Sequence, residues 1–191
     1  HIHDRRQRQM CIRDSYDGVE IIGSAGYFIS TFFVNKTNLR TDEYGGSFSN
    51  KIRIATEIVK GIRESVGEDF LIIFRIPAMD MLEGGMSWDE ICTLGRALEN
   101  AGVSIVSTHF SWHESPVPTI ATMVPRAAFT SVTKRLKKVV NVPVITSNRI
   151  NMPDVAESVL ANGDADLVSM ARPFLADGKL FEKIKKGRED E

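Results

Sequence analysis

Cysteine is scarce, net charge is close to zero and long apolar runs are missing, and each scarcity removes a class of function. The two cysteines, Cys11 and Cys92, have neither metal-ligand spacing nor the spaced pairs of a disulfide framework. That usage fits a reducing compartment, so cytoplasm is the default expectation. With 24 basic and 25 acidic side chains the formal net charge is −1, which gives no reason to expect nucleic acid or an anionic membrane as partner. No apolar run approaches the roughly 20 residues that span a bilayer, and the N-terminus lacks the apolar core of a secretory signal. Low-complexity segments and short repeats are absent too. No apolar run is followed by Gly-x-Gly-x-x-Gly, which removes support for a dinucleotide-binding open sheet.

What remains is a 191-residue chain, 42% hydrophobic and 26% charged, which reads as a soluble globular unit. Residues 1–15 (HIHDRRQRQMCIRDS) show neither a helical nor a strand period. They are expected to be a leader foreign to the fold, such as a translated cloning scar, or a disordered tail. From Asp17 onward apolar runs alternate with amphipathic stretches. Strands are expected at 18–22, 70–76, 103–108, 142–146 and 166–170, and helices at 50–66, 87–101, 125–140, 152–161 and 177–186. The run FLIIFRI at 70–76 is nearly continuous, as in a strand covered on both faces. Ser87 and Glu90 form a capping box, and Gly102 stands where a helix ends.

Five β-α pairs in strict alternation imply a parallel sheet with helical crossovers. Polar residues gather just after strand ends: Tyr27, Arg75, His113, Arg149 and Arg172. A (β/α)8 TIM barrel places its active site there. Because such a barrel typically needs ~250 residues, residues 16–191 read as a partial barrel, about its last five units, with three units expected before Tyr16.

The last two β-α turns carry Ser147-Asn148-Arg149 and Ala171-Arg172-Pro173. Barrels often bind phosphate on the loops after strands seven and eight, and an Arg on each adds a charge-assisted grip. A lone Arg would more often pair with a neighbouring carboxylate; two at matched positions favour phosphate. Arg75 lies inside an apolar strand, where a charge is costly unless it is paired or faces a ligand. In a flavin enzyme it could stabilise negative charge on the reduced ring. Tyr27, after the turn Gly23-Ser24-Ala25-Gly26, is either a proton donor or an aromatic lid. His113 either polarises a carbonyl or caps its loop.

Two longer segments carry a family resemblance. Residues 16–27 (YDGVEIIGSAGY) and 37–47 (TNLRTDEYGGS) resemble the fourth-strand motif and following segment of the Old Yellow Enzyme family of NADH:flavin oxidoreductases. Residues 172–177 (RPFLAD) match that family's eighth-strand ending, so the similarity covers 16–191. Simple enone reductases of the family carry a His and an Asn or His where Ile22 and Ala25 stand here, and neither of these can donate a side-chain hydrogen bond. The bacterial NADPH-dependent 2,4-dienoyl-CoA reductases also lack that pair. Residues 112–122 (WHESPVPTIAT) and 146–151 (TSNRIN) are similar to their sixth-strand loop and phosphate region.

That resemblance implies reduction of a conjugated C=C bond in a dienoyl thioester, as in fatty acid β-oxidation. Tyr27 would be the proton donor and His113 its partner at the thioester oxygen. Arg75, Arg149, Ala171 and Arg172 would bind FMN, and Lys36, Glu114, Ser115 and Pro116 would meet the substrate. Lys36 stands where an Arg is expected, which keeps the charge and loses the bidentate fork. Pro116 also replaces an Arg, which puts the acyl-CoA carrier in doubt. NAD(P)H would be the electron source, with an iron–sulfur cluster and FAD in the full-length parent and not on this segment. The alternatives are a related FMN barrel (enoate reductase or amine dehydrogenase) and an inert fragment with an incomplete FMN site.

Overall fold

Strands and helices alternate through the computed structural model, which describes residues 16–116 and 119–188. The leader proposed for residues 1–15 lies outside the described residues. The chain forms β1 (Gly18–Ile22), two short helices α1 (Ser30–Phe33) and α2 (Phe48–Lys51), then α3 (Arg53–Val66) and β2 (Leu71–Met79). There follow α4 (Trp88–Asn100), β3 (Ile105–Phe110), α5 (Thr130–Lys137), β4 (Val144–Thr146) and α6 (Pro153–Ala161). It closes with β5 (Leu167–Val168), α7 (Arg172–Ala176) and α8 (Leu180–Lys185). No helix among the described residues is long and apolar enough to cross a membrane.

All the strands pair in parallel, each with its neighbour in sequence, in the order β1-β2-β3-β4-β5. A doubly wound sheet reverses its order at a switch point; these strands run in one direction around the sheet without a reversal. The helices are placed by local signals. The Ser87 side chain accepts from the Glu90 N–H and the Glu90 carboxylate accepts from the Ser87 N–H, so the capping box opens α4. Gly102, at φ 103°, follows the α4 C-cap in a conformation that disfavours any side chain.

The core lies on one face of the sheet. Ile72, Phe74 and Ile76 of β2 are wholly buried, and they cluster with Val59 of α3, Leu94 and Leu98 of α4, and Leu136 of α5. The alternate residues of the same strand, Leu71, Ile73, Arg75 and Pro77, point the other way. Leu71 is 43% exposed, as is Leu167 of β5, and Ile22 of β1 is 47% exposed. The expectation that β2 is covered on both faces therefore does not hold among the described residues. Its apolar continuity serves two surfaces, of which only the helix-facing one is packed here.

Boundaries moved at the loops. Strand β2 runs on to Met79 and β3 to Phe110, beyond their expected ends. The helix expected from 125 starts only at Thr130, because Ala127 adopts φ 55° and its N–H donates to the Arg149 carbonyl at 3.0 Å instead of a helical partner. The segment expected to form one helix from residue 50 is broken at Ile52 into α2 and α3. A short helix, α7, opens at Arg172, where a turn was expected.

Candidate active site

The C-terminal ends of β1, β2 and β3 are tied together by their loops. After β1 the chain turns through Ala25 (φ 65°) and Gly26 (φ 87°), two successive left-handed residues. Left-handed Ala is strained, and such strain is held where the surroundings over-determine it. Here the Ala25 carbonyl accepts from the His113 N–H at 3.3 Å. A Cβ on Gly26 would lie 3.0 Å from the Trp112 ring, so glycine lets the β1 and β3 loops close on each other. The result brings the two predicted catalytic residues together: the Tyr27 and His113 rings meet edge to face, with centroids 5.0 Å apart. Tyr27 is 52% exposed, so its phenol is open to a substrate.

The predicted cofactor residues also converge. Arg75, Arg149, Ala171 and Arg172 line one cavity of about 650 Å³, with Ser147 to Asn151 as one wall and Ser169 to Pro173 as another. Neither Arg149 nor Arg172 pairs with a carboxylate among the described residues, so a structural ion pair is not what holds them. Arg149 is partly engaged. Its Nε donates to the Val124 carbonyl at 2.8 Å and Nη2 to the Thr122 carbonyl at 3.4 Å. With the return bond from Ala127, it fastens the β3–α5 loop to the end of β4. Asn148 and Arg149 both have positive φ, 68° and 59°, a second strained turn at the cavity wall.

Sequence reading missed a residue in this cavity, His109. It lies on β3 with its side chain on the face that carries Ser107, the partner of Arg75 across the β2–β3 ladder. Burial, with the Arg75 guanidinium and then His113 adding to it, pushes the His109 pKa down to about 4, so the imidazole is neutral near pH 7. The Nδ1 of His109 and the Nε of Arg75 are both buried without a hydrogen-bond partner. Unpaired buried polar atoms are costly, and two on one cavity call for a ligand that pairs them. Guanidinium groups, hydroxyls and an imidazole around one hollow suit an anionic, hydroxyl-rich nucleotide. FMN fits that donor set.

Asp80 and Trp112 were missed too. The buried Asp80 carboxylate follows β2, accepting from the Trp112 indole N–H at 2.8 Å through Oδ1 and from the Met86 N–H at 2.8 Å through Oδ2. Of the predicted substrate residues, Glu114, Ser115 and Pro116 share the His113 loop, and the Glu114 carboxylate leans over Gly26. Lys36 sits apart, exposed on the segment after α1. Among the described residues no group of three His, Cys, Asp or Glu side chains is arranged to hold a metal ion.

Comparison with known proteins places this arrangement. A metal reductase of Desulforamulus reducens is 41% identical over 176 residues, 92% of this chain and 26% of that protein. An NADH oxidase of Thermoanaerobacter brockii is 39% identical over 181 residues, 92% of this chain and 27% of that protein. The solved 2-naphthoyl-CoA reductase in complex with 2-naphthoyl-CoA superposes with a TM-score of 0.90 at 33% identity, over 98% of this chain and 30% of that one. The chain thus spans under a third of the length of these relatives. The model of the NADH:flavin oxidoreductase / NADH oxidase family matches residues 6–191, which carries the strained β1 turn, the Tyr27–His113 contact and the arginine-lined cavity alike, and the chain belongs to that family.

Proposed function

We propose that the chain is the C-terminal part of a (β/α)8 barrel that binds FMN and reduces a conjugated C=C bond. One observation carries the reading: Arg75 within β2, Arg149 after β4, and Ala171 and Arg172 after β5 line one cavity. The sequential, one-sided sheet supports the barrel, since its uncovered face carries Arg75 and His109, and three further units before Tyr16 would close around it. Arg149 and Arg172 hold the phosphate, and Arg75 lies toward the ring, where it offsets negative charge.

Bound FMN supplies hydride transfer, with NAD(P)H as the source of electrons. The protein supplies the proton and the polarisation. His113 donates to the substrate carbonyl oxygen, which draws electron density away from the double bond. The Tyr27 phenol, at the open edge of that ring pair, delivers a proton to the adjacent carbon. A thioester of the 2,4-dienoyl-CoA type is the substrate we favour, because Ile22 and Ala25 leave the carbonyl to His113 alone. Similarity to a 2-naphthoyl-CoA reductase supports an acyl-CoA, which Glu114, Ser115 and Pro116 would meet on the His113 loop, while Lys36, exposed after α1, would reach only its outer part. The iron–sulfur cluster and FAD belong to other segments of the full-length protein.

The test is an assay of the complete flavin domain, this chain joined to the preceding barrel units, against dienoyl-CoA, simple enones and tertiary amines. Preference for dienoyl-CoA supports the reading. Turnover of enones alone moves the assignment to an enoate reductase, and of amines alone to a dehydrogenase. Failure to bind FMN removes it.

A further inference from the structure

We propose that His109 is an additional flavin-contacting residue, its Nδ1 pairing with a hydroxyl of the FMN ribityl chain in the cavity it shares with Arg75. The inference rests on the flavin reading above and deepens it.

The placement follows from register. Arg75 pairs with Ser107 and Pro77 with His109, so His109 stands one rung beyond Arg75 on the neighbouring strand and on the same face of the sheet. The ladder shifts between Pro77 and Met79, a bulge immediately after the Pro77–His109 pair. Bulges beside functional sites re-aim side chains. Both His109 Nδ1 and Arg75 Nε are buried and unpartnered. The same cavity is lined by Arg149 and Arg172, the groups suited to a phosphate, which follow β4 and β5 further along the sheet. The ribityl chain is the part of FMN that joins phosphate to ring, so it must cross the space between those arginines and Arg75.

Chemistry selects the hydroxyl. With its low pKa, His109 brings no charge for the phosphate, and a second cation beside Arg75 would be repelled. A neutral imidazole offers Nδ1 as donor or acceptor according to its tautomer. A hydroxyl both donates and accepts, so it matches either tautomer, whereas each polar atom of the isoalloxazine matches only one.

The experiment measures flavin affinity of the complete apoprotein by fluorescence quenching, with FMN, riboflavin and lumiflavin, which lacks the ribityl chain. Loss of one neutral hydrogen bond corresponds to about a threefold to tenfold change. His109→Leu is expected to raise Kd by that factor for FMN and riboflavin alike and to leave lumiflavin unchanged. His109→Gln, which keeps a polar partner, is expected to restore most of the affinity. Equal weakening for lumiflavin, no weakening for riboflavin, or no recovery in His109→Gln overturns the inference. Should the Leu variant not fold, the wild-type Nδ1 resonance decides the matter: it shifts with riboflavin and not with lumiflavin, and the reverse pattern refutes the contact. A wild-type protein that binds no flavin defeats the flavin reading itself; one that binds flavin indifferently to His109 defeats only this inference.

Discussion

The indole N–H of Trp112 donates to the Asp80 carboxylate across 2.8 Å, and both side chains are buried. This bond ties the loop after β2 to the loop after β3. The Trp112 N–H to Asp80 carbonyl bond (3.1 Å) and the Ser111 N–H to Met79 carbonyl bond (2.7 Å) run beside it. Burial pushes the Asp80 pKa up, while the Met86 N–H and the Trp112 indole pull it back. Trp112 also packs under Gly26, so the Asp80 carboxylate sets the ground on which Tyr27 and His113 meet.

Asp80→Ala should therefore strand a buried donor, the Trp112 indole N–H, and a partly buried one, the Met86 N–H. Allowing for release of the carboxylate's own desolvation, the loss is expected at about 1–3 kcal/mol. Chemical denaturation measures it, and stopped-flow kinetics should show slower substrate reduction with flavin reduction near normal. A variant of wild-type stability with normal kinetics would show that the bond positions nothing.

Tyr27 lies on the substrate side of the proposed chemistry. Tyr27→Phe keeps the ring and its edge contact with His113 but removes the proton. General acid catalysis typically contributes about 10²- to 10⁴-fold, so reoxidation of the flavin by a dienoyl-CoA should slow by about 10²-fold or more. Reduction of the flavin by NAD(P)H should stay within about twofold, since no proton from Tyr27 enters that half. Equal slowing of both halves counts against Tyr27 as the donor.

Strand order, the α4 capping box and the convergence of Arg75, Arg149 and Arg172 were legible because each depends on local pattern: alternation, a Ser-x-x-Glu signature, a charge after or within an apolar run. His109 was readable by the rule that singled out Arg75. It alternates with the buried Val106, Thr108 and Phe110 on the opposite face, yet its polar neighbours Ser107 and Thr108 hid the contrast. Asp80 and the late start of α5 were not legible. Their geometry comes from partners 32 residues away at Trp112, in the first case, and at the Arg149 carbonyl in the second. Periodicity within one segment carries no information about such partners. The exposed half of β2 was misread for the same reason, since an apolar run does not reveal which segment covers it.

His109 should also leave a pH signature. Its folded-state pKa is about 4 and its ordinary value 6.5, so below pH 6.5 the unfolded chain takes up a proton that the native protein refuses. Stability contributed at neutral pH is then lost as pH falls from 6.5 toward 4, and the loss levels off below 4. The difference of 6.5 − 4 = 2.5 units sets a ceiling of about 3 kcal/mol. Unfolding midpoints of the complete flavin domain and its His109→Gln variant should diverge across that window, the wild type weakening more steeply. Parallel curves would refute the depressed pKa.

The uncovered sheet face predicts how the chain behaves alone. Ile22, Leu71 and Leu167 are each more than 40% exposed, and β1 and β5 are the edges of the described sheet. Unpaired edges beside exposed apolar side chains promote association. Residues 16–191 by themselves should self-associate in sedimentation and bind no flavin, whereas the complete flavin domain should be dispersed and yellow. A monomeric, cooperatively melting, flavin-loaded short chain would contradict both the barrel reading and the division of the flavin site.

The phosphate assignment separates Arg172 from Arg149. Arg172 makes no side-chain bond to the described residues and opens α7 at the cavity wall, while Arg149 spends Nε and Nη2 on the Val124 and Thr122 carbonyls. A charge-assisted hydrogen bond is worth about 1.5–3 kcal/mol, or roughly tenfold to a hundredfold in affinity. Arg172→Ala should therefore weaken FMN by about that factor and leave riboflavin, which has no phosphate, nearly unchanged. Arg149→Ala should weaken both, because it also frees the β3–α5 loop whose Ala127 N–H bonds back to the Arg149 carbonyl. Raising ionic strength should erode FMN affinity in the wild type and do so less steeply in Arg172→Ala, where Arg149 alone still faces the phosphate. If Arg172→Ala lowers riboflavin and FMN affinity equally, the guanidinium shapes the loop and the phosphate is held elsewhere.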